Sequence, residues 1–109
     1  MAYAVTVTVE ERAGGTVVRV AGVVDAAALP DVSRALTDAQ REDSHPVYVE
    51  LSQVTFMDSR GLGALLAAHE RHREGAAPLR IVRPSDAVRR LLDAAGVAAI
   101  LTEADALPE

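Results

Sequence analysis

The residues best placed to do chemistry sit together in Asp58-Ser59-Arg60-Gly61-Leu62-Gly63. Ahead of them, Val47-Tyr48-Val49-Glu50-Leu51 reads as a buried strand. After them, Leu62, Leu65, Leu66 and His69 recur at helical spacing. Asp58 and Ser59 therefore fall where a strand hands over to a helix. Both side chains suit an N-cap, because their oxygens accept the free N–H groups of a first turn. Gly61 and Gly63 leave that turn bare enough for another protein to approach its backbone. A hydroxyl at the positive end of a helix is also a favourable place for a phosphate. Capping alone explains a Ser here, so the pattern by itself leaves structural and regulatory roles both open.

Other chemistries fit less well. Strand, Asp-Ser-x-Gly, helix is similar to the nucleophile elbow of hydrolases, but that turn needs a Gly two residues before the Ser, where Met57 stands. His69 lies ten residues further along the same helix, roughly 15 Å away at about 1.5 Å per residue, so it is no base for Ser59. His45, in a loop, is not excluded by spacing, yet the chain leaves little room for a triad, an oxyanion hole and a substrate pocket. His69 and His72 are spaced i, i+3, whereas the zincin pattern needs i, i+4 with a Glu between, and no third ligand is evident. No Gly-x-x-x-x-Gly-Lys-Ser/Thr loop occurs, and there is no Lys at all. The expectation is a non-enzyme without metal or other cofactor, and not itself a kinase.

The elements that must position this turn follow from the pattern on either side. Val5, Val7 and Val9 alternate with Thr6, Thr8 and Glu10 as a half-buried strand. Gly14-Gly15 marks a turn to a second strand, Thr16 to Ala21, in a hairpin whose linker is somewhat long for a tight two-residue turn. Leu29, Val32, Leu36 and Ala39 place one stripe on a helix over about 28–41, with Pro30 tolerated in its first turn. Arg41 to Pro46 is a polar loop. The helix begun at Ser59 runs to about Arg73 and stops near Gly75. Leu79-Arg80-Ile81-Val82 is a short strand. Pro84-Ser85 opens a helix whose buried face is Val88, Leu91, Leu92 and Ala95, and Gly96 ends it. Ala98 to Leu101 reads as a last short strand, and the final eight residues as a turn of helix or a frayed end. A hairpin followed by alternating helices and strands implies a mixed sheet with helices packed on it.

Composition sets the limits. The 109 residues suit one domain over 1–109, and half are apolar, enough for a small core. Only three aromatics occur, so Val, Leu, Ile and Ala must fill that core. No cysteine is present, which excludes disulfides and thiolate metal sites. No run approaches about 18 apolar residues, so no membrane span is expected, and the Thr/Val alternation at the start is not a signal peptide. All eleven basic residues are Arg, seven of them between Arg60 and Arg90, but the net charge is −5 and acidic residues are interleaved. With almost no aromatics to stack on bases, direct nucleic-acid binding is not expected.

The strand, the Asp58-Ser59-Arg60-Gly61-Leu62-Gly63 turn and the amphipathic helix after it resemble the signature of the STAS domain, in its anti-sigma factor antagonist branch. Two further segments fit. Val17-Val18-Arg19-Val20-Ala21-Gly22-Val23-Val24-Asp25 resembles the family's strand ending in Gly-x-Leu/Ile-Asp, and Pro84 to Gly96 resembles its last full helix. One departure is plain: Arg60 stands where the family usually has a second Ser or Thr.

The resemblance implies an α/β fold, a small mixed sheet with a leading hairpin and helices on one face. It implies that Ser59, directly after the Asp, accepts a phosphate, and that the Asp25 loop lies close to it. Asp25, Asp58, Ser59, Arg60, Gly61 and Leu62 are then the expected partner surface; Leu62, lying between two glycines, is expected to be less shielded than Leu65 or Leu66. The implied partners are an anti-sigma factor that is a serine kinase with a Bergerat-type ATP site, and a PP2C-type phosphatase, in the cytoplasm. Unmodified protein would bind the anti-sigma factor and release sigma; phosphate on Ser59 would end that binding. Arg60 supports an alternative, a STAS interaction module that is not phosphorylated, either a scaffold in a signalling assembly or the partner of a lipid-transport complex. A nucleotide-binding STAS domain is a further alternative that no residue independently supports.

Overall fold

The computed structural model describes residues 4–41 and 45–109. Strands β1 (Thr6–Arg12) and β2 (Gly15–Val24) form the hairpin, followed by helix α1 (Leu29–Arg41) and strand β3 (Val47–Met57). Helix α2 (Ser59–Arg71) continues into a 3-10 turn over His72–Glu74. Strand β4 (Leu79–Val82), helix α3 (Asp86–Ala95) and strand β5 (Glu103–Ala104) complete the chain. The five strands lie in sequence order, β1 antiparallel to β2 and the rest parallel. Parallel neighbours need crossovers, and the helices supply them. Contacts of α1 with α2, and of α2 with α3, place all three helices on one face.

The pairing register explains which residues meet those helices. Val18, Val49 and Ile81 lie side by side across β2, β3 and β4, and all three belong to the buried core with Leu36 of α1, Leu65 of α2 and Leu92 of α3. Val20, Val47, Leu51 and Leu79 share that face. Valine and leucine fill the space that aromatics would occupy elsewhere. Buried Gln40 ties the helices at their far end: its Nε2 donates to Ala68 O and Ala77 O at 2.8 and 2.9 Å, and its Oε1 accepts from Arg71 Nε.

Several expectations need correction. The hairpin turn is Ala13-Gly14 alone, because β1 runs on to Arg12 and pairs it with Gly15. The linker that looked long in the sequence is therefore a tight two-residue turn. β3 extends six residues past Leu51, to Met57. The segment 98–101 is a turn, not a strand, and the last strand is Glu103–Ala104. The final residues are neither helical nor frayed. Gly14 N–H donates to Glu109 O at 2.7 Å, and Arg12 Nη1 to Pro108 O at 2.9 Å. The chain thus returns from β5 at one sheet edge to the hairpin turn near the other. With helices filling one face, it crosses the face opposite, where Val17 and Val82 are fully buried despite pointing away from the helices. The α3 helix ends as expected on Gly96, at φ 71°, a left-handed conformation that glycine adopts without a Cβ clash. Of the expected polar loop, residues 42–44 lie outside the described residues.

Candidate functional site

The extension of β3 builds the site. Two register shifts each put one extra residue into β3: Arg19 pairs with Glu50 but Ala21 with Gln53, and Gly22 with Val54 but Val23 with Phe56. These bulges turn the strand's period from two to three, so that Leu51, Val54 and Met57 point inward. The pairs between them, Ser52-Gln53 and Thr55-Phe56, are both pushed outward. Phe56, the only phenylalanine, is 50% exposed three residues before Ser59. Nothing in the alternation before it signals this, since bulges arise from pairing with β2. The legible hint is the spacing of Leu51, Val54 and Met57 itself.

Asp58 then caps α2. Its backbone is extended, φ −102° and ψ −176°, and Oδ1 accepts from Arg60 N–H at 2.9 Å and Gly61 N–H at 3.3 Å. Its own N–H donates to Val24 O at 3.3 Å, which fastens the turn to the end of β2. Ser59 is the first helical residue and is exposed. Both residue types suited the cap; Asp58 takes it, which leaves the Ser59 hydroxyl free of that task. The same arrangement modifies the argument from the helix dipole. The Arg60 and Gly61 N–H groups that a phosphate would seek are already engaged by a carboxylate. Arg60 is exposed, with Nη1 3.7 Å from Asp58 Oδ2, a surface ion pair of small strength. It can therefore turn to another anion at little cost.

Asp25 lies one residue beyond Val24, whose pairing with Met57 sets the two turns side by side. Its Oδ1 accepts from Ala27 and Ala28 N–H at 3.1 and 3.3 Å, so it forms a turn that starts the approach to α1. The structure thus brings Asp25, Asp58, Ser59 and Arg60 to one pole of the sheet, at the C-terminal ends of β2 and β3.

Gly61 and Leu62 do not join them at the surface. Leu62 is only 5% exposed and packs in the core; it is more shielded than half-buried Leu66, contrary to expectation. Helical spacing places it on the same face as Leu65, and the flanking glycines do not change that. Gly61 is buried as well. A Cβ there would stand 2.7 Å from Met57 Cγ and 2.8 Å from Val24 Cγ1, so its missing side chain serves the close packing of α2 on the sheet. Gly63 is the bare position, exposed with no atom near an added Cβ. Elsewhere on this helix, His72 Nδ1 is 2.8 Å from Ala76 O, in the turn that ends it. No helix among the described residues is long and apolar enough to cross a membrane.

Comparison with known proteins agrees with this architecture. The STAS domain family model matches residues 6–107. An anti-sigma-B factor antagonist of Staphylococcus epidermidis is 31% identical over 80 residues, covering 73% of this chain and 74% of that protein. The crystal structure of an anti-sigma factor antagonist from Mycobacterium paratuberculosis superposes with a TM-score of 0.82, at 28% identity, over 95% of this chain and 88% of the other. The Bacillus cell fate determinant SpoIIAA in its phosphorylated form has the same fold, with a TM-score of 0.69 at 20% identity over 92% of each chain. The chain belongs to the STAS domain family. Within it, it falls among the anti-sigma factor antagonists.

Proposed function

We propose that the protein antagonises an anti-sigma factor by partner switching. Unphosphorylated, it binds an anti-sigma factor that is also a serine kinase, and so frees the sigma factor. Phosphorylation of Ser59 ends the binding, and a PP2C-type phosphatase restores it. These partners place its action in the cytoplasm. The observation that carries the reading is the division of labour in the Asp58-Ser59 turn: Asp58 holds the helix cap, so the exposed Ser59 hydroxyl can be modified without undoing the helix.

The chemistry of the switch is local. A phosphate brings about −1.5 to −2 charges to a pole that already holds Asp25 and Asp58. With the Arg60 and Gly61 N–H groups taken by Asp58, the added charge is left largely to solvent and Arg60. Exposed in the free domain it is tolerated, but in an interface it must be desolvated. A difference of about 3 kcal/mol weakens binding more than a hundredfold. The apolar contact in that interface is assigned to Phe56, since Leu62 belongs to the core.

Arg60 favours one second reading. A guanidinium beside the acceptor, already close to Asp58, could keep a kinase from Ser59. The protein would then be an unphosphorylated STAS module, in a signalling assembly or with a lipid-transport complex. Incubation of wild type and Arg60→Ser with the cognate kinase and ATP separates the two. Phosphate on Ser59 of wild type supports the switch; phosphate on Arg60→Ser alone supports the unphosphorylated module.

A further inference from the structure

β3 outruns its neighbour. Its pairing with β4 ends at Glu50 and Val82, and Ser85 N–H closes the ladder on Leu51 O at 3.2 Å. Beyond Leu51, the β4 side of β3 has no strand partner among the described residues. The chain leaves β4 through Arg83, which has a positive φ of 51°, and turns into α3 under the Ser85 cap. An open, polar cleft of about 610 Å³ remains between the end of β3 and the first turn of α3. Ser52, Thr55, Arg83, Ser85, Asp86 and Arg90 line it.

The charges in this cleft are unequal. Arg90 is exposed and has no ion pair among the described residues. Arg83 reaches only to 4.0 Å from Glu50 Oε2, and that buried carboxylate already accepts from Ser52 N–H. Asp86 is the one exposed carboxylate among the lining residues, set against two arginines and the positive end of α3. In a chain of net charge −5 this is a locally basic recess. Thr55 stands at its wall and four residues from Ser59, so the recess adjoins the proposed partner surface.

We propose that this cleft receives an extended acidic segment of the partner protein, whose carboxylates pair with Arg83 and Arg90 while its backbone meets the Ser52, Thr55 and Ser85 hydroxyls. The identity of that partner as the anti-sigma factor rests on the function proposed above; the chemistry of the cleft does not. Its openness suits a protein segment, which brings its own fold to cover it, better than a small molecule needing enclosure.

Amide NMR tests the cleft without the partner. The probe is a blocked hexapeptide of alternating Glu and Thr, with its Lys counterpart and inorganic phosphate as controls. The Glu peptide is expected to shift the amides of Ser52, Thr55, Ser85 and Asp86, and the controls to do so about tenfold more weakly. The double variant Arg83→Asn, Arg90→Gln removes both charges, and Asn tolerates the left-handed backbone at 83. It should stay folded, with a modestly lower melting temperature because buried Glu50 loses its nearest cation, lose the response about tenfold, and bind the anti-sigma factor about tenfold more weakly with a shallower salt dependence. Absence of shifts, an equal response in the double variant, or full reproduction by phosphate would overturn the cleft as a peptide site. Lost peptide binding with unchanged anti-sigma affinity would overturn the assigned occupant alone. Peptide binding by a wild type that forms no anti-sigma complex would support the cleft and overturn the proposed function.

Discussion

Asp58 and Ser59 divide two tasks that either residue type could perform, and mutation should separate them. Asp58→Ala removes the acceptor of two helix N–H groups and should cost about 1 kcal/mol in denaturant unfolding. Ser59→Ala carries no cap and should cost under about 0.5 kcal/mol, in the range of ordinary surface substitutions. Phe56 and Leu62 form a second contrast. Leu62→Ala should lower stability by about 2–5 kcal/mol, as for other buried leucines. Phe56→Ala should leave the melting temperature nearly unchanged and weaken the anti-sigma complex by about tenfold or more, which calorimetric titration would measure. Equal affinity for Phe56→Ala and wild type would remove Phe56 from the interface. The place of Ser59 at the helix start was legible, because a strand pattern and a helical pattern meet at that residue. The exchange of roles between Leu62 and Phe56 was not, because exposure there depends on bulges created by pairing with β2.

Among the elements, those with a strong apolar period were readable. Helices α1, α2 and α3 lie within a few residues of where Leu36, Leu65 and Leu92 put them, and Gly96 ends α3 as its position suggests. β5 was not readable, for Glu103-Ala104 carries no apolar pattern and becomes a strand only by pairing with Ile81 and Val82. Gln40 was equally silent, a polar residue at the end of an amphipathic helix. Its amide bonds to Ala68, Ala77 and Arg71 hold α1 to the end of α2 from within the core. Gln40→Leu should therefore destabilise by about 1–3 kcal/mol, because it leaves Ala77 O without that donor and Arg71 without an acceptor. Thermal or denaturant melting of the variant measures this. A stability at or above wild type would mean that water replaces the amide without loss.

For the whole molecule, the helices close one face of the sheet, and the C-terminal segment returns to the hairpin turn. The pole carrying Asp25, Phe56, Asp58 and Ser59 is left free for a partner. A domain built in this way can change its surface charge at one point without changing its fold, as the proposed switch requires. The leading hairpin and a mixed sheet with helices packed on it were legible from the pattern of elements, while helices on one face and an Asp25 loop near Ser59 followed from the family resemblance; the strand order was not read, and the returning segment was not legible, because Pro108 and Glu109 are held through their backbone carbonyls, which no residue type signals. The most direct test measures the affinity of the cognate anti-sigma kinase for unmodified protein, for protein phosphorylated by that kinase, and for Ser59→Ala, with mass spectrometry locating the phosphate and circular dichroism following the fold. The account predicts phosphate on Ser59, affinity weakened more than about a hundredfold with an unchanged fold, and Ser59→Ala that binds but takes no phosphate. Equal phosphorylation of Ser59→Ala, or full affinity of the Ser59-phosphorylated protein, would contradict it.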